Sequence, residues 1–126
     1  EYSYQRQCVD MGWIEPPSDF GNGGDNKYDI YMYMNEYGDD AITNIDIQDG
    51  WNEEWAPSYI FIGPNSYIGG DLKVTVAHEF NHALQMAYSY KDMYNSVPAQ
   101  WFAENTATLI AEVTWNYKFN NRKLST

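Results

Sequence analysis

The chain has 126 residues, a length that suits one domain built around a single hydrophobic core. Asp and Glu number 18 against 7 Lys and Arg, so the formal net charge is −11, and a surface of this charge would repel nucleic acid and anionic membranes. Cys8 is the only cysteine, which excludes an intrachain disulfide and a cysteine-based zinc site.

Composition also bears on where the protein acts. No stretch is apolar for long enough to span a membrane. The chain begins at Glu1 instead of Met, which agrees with removal of a leader or pro-segment. We therefore expect a secreted, soluble, monomeric protein. Residues 1–126 are expected to form one domain, either as a minimal module or as part of a longer precursor.

The N-terminal part is expected to contain one weak helix and a polar loop. Residues 2–11 have weak helical character, which ends at Gly12 and the two prolines that follow. Residues 18–26, SDFGNGGDN, have the composition of a loop. Their side-chain oxygens could bind Ca²⁺, although the spacing fits no EF-hand. The alternative is an ordinary turn.

Three segments are predicted to be β-strands. Residues 27–34 alternate in character, which places the apolar set on one face. Residues 41–47 alternate apolar with polar side chains, which indicates a strand near the edge of a sheet. Ser58–Ile62 is a short apolar run that ends at Gly63 and predicts a buried strand. The apolar face of the first strand consists of Tyr28, Ile30, Met32 and Met34.

Two long helices are predicted to follow the strands. Asp71 precedes the first and is placed to cap its free N–H groups. A loop over residues 91–97 leads to the second helix, whose first turn suits Pro98 and which extends to Asn116. This order predicts an α+β fold with a small mixed sheet packed on the first helix. The apolar stripe of that helix consists of Leu72, Val76, Phe80, Ala83, Leu84 and Ala87.

The first helix contains the motif H-E-x-x-H, formed by the only two histidines of the chain. His78 and His82 are four residues apart, so both imidazoles project from one face and can reach the same metal ion. Glu79 stands beside that ion, in the position from which a carboxylate takes a proton from zinc-activated water. Structural histidines on a packed helix are the alternative, and this spacing around a glutamate favours the metal site.

A catalytic zinc site needs a third protein ligand, and a carboxylate is expected because no other histidine remains. The candidates are Asp92, Glu104 and Glu112. Glu104 lies on the second helix among large apolar residues that are predicted to be buried, where a lone carboxylate would be costly without a cation. Those residues are Trp101, Phe102, Leu109 and Val113.

Two motifs, AHEFNHALQ over residues 77–85 and WFAENTAT over residues 101–108, resemble known metallopeptidases. H-E-x-x-H with a glutamate on the next helix resembles the gluzincins, of which thermolysin is the familiar member. Closer still is a family of secreted prokaryotic metalloproteases with the patterns A-H-E-F-x-H-A-x-Q and W-x-x-E-x-x-A-T. The resemblance covers residues 28–115. It implies a zincin-like fold, His78, His82 and Glu104 as zinc ligands, and Glu79 as general base and acid.

The sequence departs from the thermolysin pattern around the third ligand. Asn normally precedes that ligand and Asp normally follows it by four residues, whereas Ala103 and Thr108 stand here. The partner of His78 is therefore expected to be Thr108 or a backbone carbonyl. No third histidine is present to stabilise an oxyanion. The candidates for that role are Tyr88, Tyr94, Tyr117 and Arg122.

The function implied is zinc-dependent hydrolysis of peptide bonds, with endopeptidase action expected. A peptide substrate is expected to lie along the 41–47 strand as an additional strand. Trp51, Trp55 and Tyr59 either line the subsites or pack under the loop of residues 49–57. The alternative function is a catalytically silent, zinc-stabilised module that binds peptide or glycan through its Tyr- and Trp-rich surface.

Overall fold

The computed structural model describes residues 1–32, 40–68 and 71–115. These form an α+β domain, as predicted. Predictions that fall on residues 33–39, 69–70 and 116–126 lie outside the described part, including the end of the first strand and the candidates Tyr117 and Arg122. The elements in chain order are α1 (Tyr2–Tyr4), a π-helical segment (Gln5–Asp10), a 3-10 turn (Asn22–Gly24), β1 (Ile30–Met32), β2 (Ala41–Ile45), β3 (Ser58–Ile62), α2 (Pro64–Ile68), α3 (Leu72–Tyr94) and α4 (Val97–Trp115).

The three described strands form a mixed sheet in the order β1-β3-β2. β1 runs parallel to β3, and β2 runs antiparallel to it with Thr43 opposite Ile60. β3 occupies the centre of the sheet because its apolar run places apolar side chains on both faces of the strand. Ile60 and Ile62 are buried. Among the described strands, β2 is therefore an edge strand, as the sequence predicts.

The prediction for the first strand is partly wrong. β1 begins at Ile30, three residues later than predicted, and Ile30 and Met32, expected on the buried face, are exposed. The reason is the placement of α3, which packs over β2 and β3. Of the described residues on this predicted face, Tyr28 is the one that packs against the core, where its ring meets Phe80 edge-on at 5.7 Å between centroids.

Helix α3 begins as predicted and ends later. The Asp71 side chain accepts hydrogen bonds from the backbone N–H groups of Lys73 (3.2 Å) and Val74 (3.4 Å), which satisfies free donors of the first turn. The core cluster unites Phe80 and Leu84 of this helix with Ile60 and Ile62 of the sheet. An extended residue, Ser89 (φ −160°, ψ 103°), interrupts the helix before its last turn.

Helix α4 buries a different face from the one predicted. Its buried residues are the small ones, Ala103, Ala107, Ala111 and Thr114. Trp101, Phe102 and Leu109, which were predicted to be buried, are 67%, 69% and 61% exposed. Alanines at four-residue spacing form a smooth stripe that lets two helices approach closely, and α3 and α4 share the most extensive contact in the domain. The face nearest α3 is therefore made of small side chains.

Candidate metal centre

The two histidines of α3 meet at their Nε2 atoms. His78 and His82 lie one turn apart on the helix, and their Nε2 atoms are separated by 3.1 Å. The rings stand nearly perpendicular, with 4.8 Å between centroids. His82 is buried at 8% side-chain exposure, whereas His78 is 22% exposed. The pair therefore presents two nitrogen atoms at one point on the surface of α3.

Glu104 of α4 completes this group. Its Oε2 lies 3.1 Å from Nε2 of His78 and its Oε1 lies 3.2 Å from Nε2 of His82. Within residues 1–32, 40–68 and 71–115, this is the one group of three side chains able to hold a metal ion. Asp92, in contrast, lines a separate groove beside Trp13 and Phe102. Of the three carboxylates considered from the sequence, the fold brings Glu104 to the histidines.

The sequence argument that led to Glu104 nevertheless needs correction. Its side chain is 64% exposed, so it is not a buried charge that requires a cation. The close packing of α3 on the alanine stripe of α4 is what brings it there, because Ala103 and Ala107 flank it in sequence and both are buried. The exposed carboxylate leaves one side of the group accessible from solvent.

The donor set fits zinc. Zinc prefers tetrahedral sites with nitrogen and oxygen ligands at about 2.0–2.1 Å, which places neighbouring ligand atoms about 3.3 Å apart. The separations of 3.1 to 3.2 Å between the two Nε2 atoms and the nearest Glu104 oxygens match that requirement closely. Two imidazoles and one carboxylate also leave a fourth position, as catalytic zinc sites do.

Both histidines are oriented through their second ring nitrogen. Thr108 Oγ1 lies 3.4 Å from Nδ1 of His78, which agrees with the partner expected from the sequence. Gln85 Oε1 lies 2.9 Å from Nδ1 of His82, and the same side chain donates from Nε2 to the Ala103 carbonyl at 3.1 Å. Such contacts hold a ligating ring in position.

The role of Gln85 was missed in the sequence, although a signal was present. Gln85 follows His82 by three residues, so the two side chains lie on the same helical face. Its amide oxygen meets the His82 imidazole. Its nitrogen binds the backbone of Ala103, the residue that stands where the thermolysin pattern has Asn. The partner comes from α3 itself in this chain.

Glu79 is held by a residue of the edge strand. Its side chain is buried, and Oγ1 of Thr43 lies 2.8 Å from both its carboxylate Oε2 and its backbone carbonyl. Thr43 is also buried, and its single hydroxyl proton can be donated to either acceptor. The contact joins β2 to α3 and sets the direction of the carboxylate. No spacing rule in the sequence links these two residues, which are 36 positions apart.

A cleft of about 610 Å³ opens beside two of the candidate ligands, His82 and Glu104. One wall is the edge strand β2, from Ala41 to Asn44, and the opposite wall includes Met93 and Tyr94 after the bend in α3. Glu79, His82 and Glu104 also line it. Partial burial of the phenol, with the negative charges of Glu104 and Glu79 adding to it, raises the pKa of Tyr94. The phenol is therefore protonated at neutral pH and can donate a hydrogen bond.

The other oxyanion candidate in the described part of the chain lies elsewhere. Tyr88 accepts a hydrogen bond from the backbone N–H of Ile14 at 3.1 Å and packs edge-on against Trp13. It lines the groove beside Trp13 and Phe102 that Asp92 also lines. Of the two tyrosines that can be placed, Tyr94 is the one in the cleft.

The remaining aromatic candidates contribute to packing. Trp51 and Trp55 contact each other at 4.8 Å between centroids, and the Trp51 indole donates to the Trp55 carbonyl at 2.8 Å. Tyr59 packs against Tyr31 and Phe61 on the outer face of the sheet. This arrangement supports the packing interpretation over subsites at the cleft.

The polar loop of residues 18–26 is built from turns. Asp19 accepts a hydrogen bond from the backbone of Gly21 at 2.9 Å, and Asp25 accepts one from the backbone of Lys27 at 2.7 Å. Each contact is the side-chain-to-backbone bond that Asp makes in a turn. These contacts favour the turn interpretation of the loop over a Ca²⁺ site.

Three comparisons with known proteins found no match. No protein family, curated protein or solved structure matches the chain. No helix in the described part of the chain is long and apolar enough to cross a membrane.

Proposed function

We propose that this protein is a zincin-like zinc metallopeptidase of the gluzincin type. The observation that supports this function best is the convergence of His78, His82 and Glu104 on one point, with Glu79 lining the same cleft as His82 and Glu104. A structural zinc site needs no carboxylate base next to it, and structural sites are usually closed by four protein ligands. The three ligands, the adjacent base and an open cleft together fit a catalytic centre.

The chain's own residues would divide the work of peptide hydrolysis. His78, His82 and Glu104 would hold the zinc ion, which would lower the pKa of a water molecule and polarise the scissile carbonyl. Glu79 would take a proton from that water and pass it to the leaving amine. Tyr94 would donate a hydrogen bond to the carbonyl oxygen as negative charge develops on it.

The edge strand would bind the peptide. β2 pairs with β3 on one side only within the described sheet, and it forms a wall of the cleft. An extended peptide could hydrogen-bond to the free backbone groups of an edge strand and so add a strand to the sheet. Thr43 lies in this strand and contacts Glu79, so a peptide bound there would pass close to the base.

Hydrolysis of unfolded casein tests the proposal. Zinc-loaded protein is expected to cleave casein, and a chelator is expected to stop the cleavage until zinc is restored in excess. The Glu79→Gln variant, purified in the same way, controls for contaminating proteases. If the purified protein binds zinc at His78, His82 and Glu104 but cleaves neither casein nor a peptide library, the peptidase function is wrong.

A zinc-stabilised binding module is the second candidate. The observation that favours it is the exposed apolar surface of α4, where three large side chains face solvent (Trp101, Phe102 and Leu109). Exposed apolar patches often mark binding surfaces. Zinc-dependent binding of peptide or glycan in the absence of any casein cleavage would favour this candidate.

Thr43 provides a prediction that is specific to the catalytic function. Thr43→Val keeps the branched shape of the side chain and removes the hydroxyl that contacts Glu79. A hydrogen bond to a charged group is worth about 1.5–3 kcal/mol, so kcat/KM for a peptide is expected to fall about 10- to 100-fold. Zinc affinity should stay unchanged because Thr43 touches no candidate ligand.

Thr43→Ser is the matched control, since it restores the hydroxyl without the methyl group. Activity close to that of the wild type is expected for this variant. Equal activity in the Val and Ser variants would show that the contact between Thr43 and Glu79 does not matter for catalysis.

A further inference from the structure

Three amide side chains connect the candidate metal centre to the N-terminal segment; Gln7 and Asn81 are buried, and Gln85 is partly buried. We propose that Gln85, Asn81 and Gln7 form a relay that places the proton of His82 on Nδ1 and leaves Nε2 as the metal ligand. The inference rests on the proposed function only in requiring a metal ion at His82. It does not depend on peptide hydrolysis.

The relay is continuous from the imidazole to the backbone of α3. Gln85 lies 2.9 Å from Nδ1 of His82 through Oε1, and its Nε2 donates to Asn81 Oδ1 at 3.1 Å. Asn81 Nδ2 donates to Gln7 Oε1 at 3.1 Å. Gln7 Nε2 then donates to the Ala77 carbonyl at 2.9 Å and to Thr114 Oγ1 at 3.3 Å.

Burial makes the hydrogen bonds of Gln7 and Asn81 obligatory. Gln7 and Asn81 have no exposed surface, and His82 is only 6% exposed as a whole residue. A buried amide that loses a partner cannot replace it with water and keeps the full cost of desolvation. Each amide therefore has one favourable orientation, and this orientation is set by its neighbours.

The direction of the relay follows from two backbone carbonyls, which can only accept. The Ala77 carbonyl requires the NH₂ group of Gln7 on its side, so Gln7 turns its oxygen toward Asn81. Asn81 must then turn its NH₂ group to Gln7 and its oxygen to Gln85. The Ala103 carbonyl independently requires the NH₂ group of Gln85. Both constraints leave the oxygen of Gln85 facing the imidazole of His82.

An amide oxygen beside Nδ1 selects one tautomer of His82. The oxygen accepts a hydrogen bond only when Nδ1 carries the proton, and the lone pair of neutral imidazole is then on Nε2. Nε2 is the atom that faces His78 and Glu104. The choice of ligand atom at the metal centre is thus set by the Ala103 carbonyl together with Gln7, which belongs to the N-terminal segment.

The test compares zinc affinity in variants that break the relay at different points. Gln85→Met removes the direct partner of His82 and is expected to weaken zinc binding about 10- to 100-fold, the usual effect of losing such a partner. Asn81→Leu and Gln7→Met leave that partner and its bond to the Ala103 carbonyl in place but remove the second constraint on its orientation. Each is expected to weaken zinc binding about fivefold, the factor that one buried hydrogen bond is worth.

Thr114→Val is the matched control. Thr114 is as buried as Gln7 and accepts a hydrogen bond from the same Nε2, yet the Ala77 carbonyl alone suffices to orient that amide. This variant is expected to melt at a lower temperature and to bind zinc as tightly as the wild type. Zinc binding weakened equally in all four variants would indicate general loosening of the fold and would overturn the relay.

Nitrogen-15 NMR of the imidazoles reports which nitrogen of His82 carries the proton. A purely structural role of the three amides would not affect this measurement. In the zinc-loaded wild type, the His82 proton is expected on Nδ1, with slow exchange against solvent, and Asn81→Leu and Gln7→Met should speed that exchange. If the wild type carries this proton on Nε2, the proposal is wrong even if no variant folds.

If the wild type binds no zinc at His78, His82 and Glu104, the metal centre itself is wrong. Wild-type zinc binding with unchanged affinity and exchange in folded variants would overturn the relay alone.

Discussion

Glu79→Gln is expected to abolish peptide hydrolysis while the protein still binds zinc. A positioned general base accelerates proton transfer about 10²- to 10⁴-fold, so kcat should fall by that factor. The amide has the same shape as the carboxylate and can still accept the hydrogen bond from Thr43, but it cannot take up the proton of water. Zinc affinity should stay within a factor of two or so, because Glu79 is not one of the three converging side chains.

Steady-state kinetics on a fluorogenic peptide measure kcat. Competition for zinc with a chelator measures the zinc affinity of the same protein preparation. Glu112→Gln is the control, since it removes one exposed carboxylate from α4 outside the candidate metal centre. It should keep wild-type activity. Activity retained in Glu79→Gln would remove Glu79 from the mechanism and leave the binding-module function as the better account.

Glu104→Gln is expected to cost most of the zinc affinity. Loss of a residue that only orients a ligand costs 10- to 100-fold, and loss of a direct anionic ligand should exceed about 100-fold. The amide keeps the size of the side chain but is neutral and binds zinc weakly. Hydrolysis at limiting zinc should disappear in parallel, because the metal is lost.

The melting temperature of the zinc-free protein distinguishes loss of a zinc ligand from damage to the fold. The Glu104 side chain is 64% exposed, so the zinc-free variant should melt within a few degrees of the zinc-free wild type. Glu112→Gln and Asp92→Asn are the matched controls, as both carboxylates were alternatives for the third ligand. Unchanged zinc content in Glu104→Gln, with a loss in either control, would transfer the ligand role to that residue.

The parts of the fold that could be predicted from the sequence depend on short-range patterns. Asp71 caps α3 because a carboxylate at that position meets the first free N–H groups of any helix. β3 has the predicted bounds because its apolar run and the Gly63 and Pro64 that follow it are local signals. His78 and His82 face the same way because four residues make about one helical turn.

The predictions for α4 failed for a reason that is not local. Large apolar side chains such as Trp101 and Phe102 normally predict the buried face of a helix. Here the partner is another long helix, and the smooth stripe of Ala103, Ala107 and Ala111 packs against it. Which face of a helix is covered depends on the shape of the surface it meets, and a single sequence does not contain that shape.

The candidate metal centre likewise combines features set by local sequence with contacts that depend on tertiary packing. The sequence by itself determined the two imidazoles and the neighbouring Glu79, because one turn of helix sets their geometry. Only the tertiary structure decided between Glu104 and the other carboxylates, and only it brought Thr43 and Gln7 into contact with this part of α3. Those contacts join residues up to 74 positions apart. Their partners are chosen by the packing of whole elements, for which no spacing within the chain provides a signal.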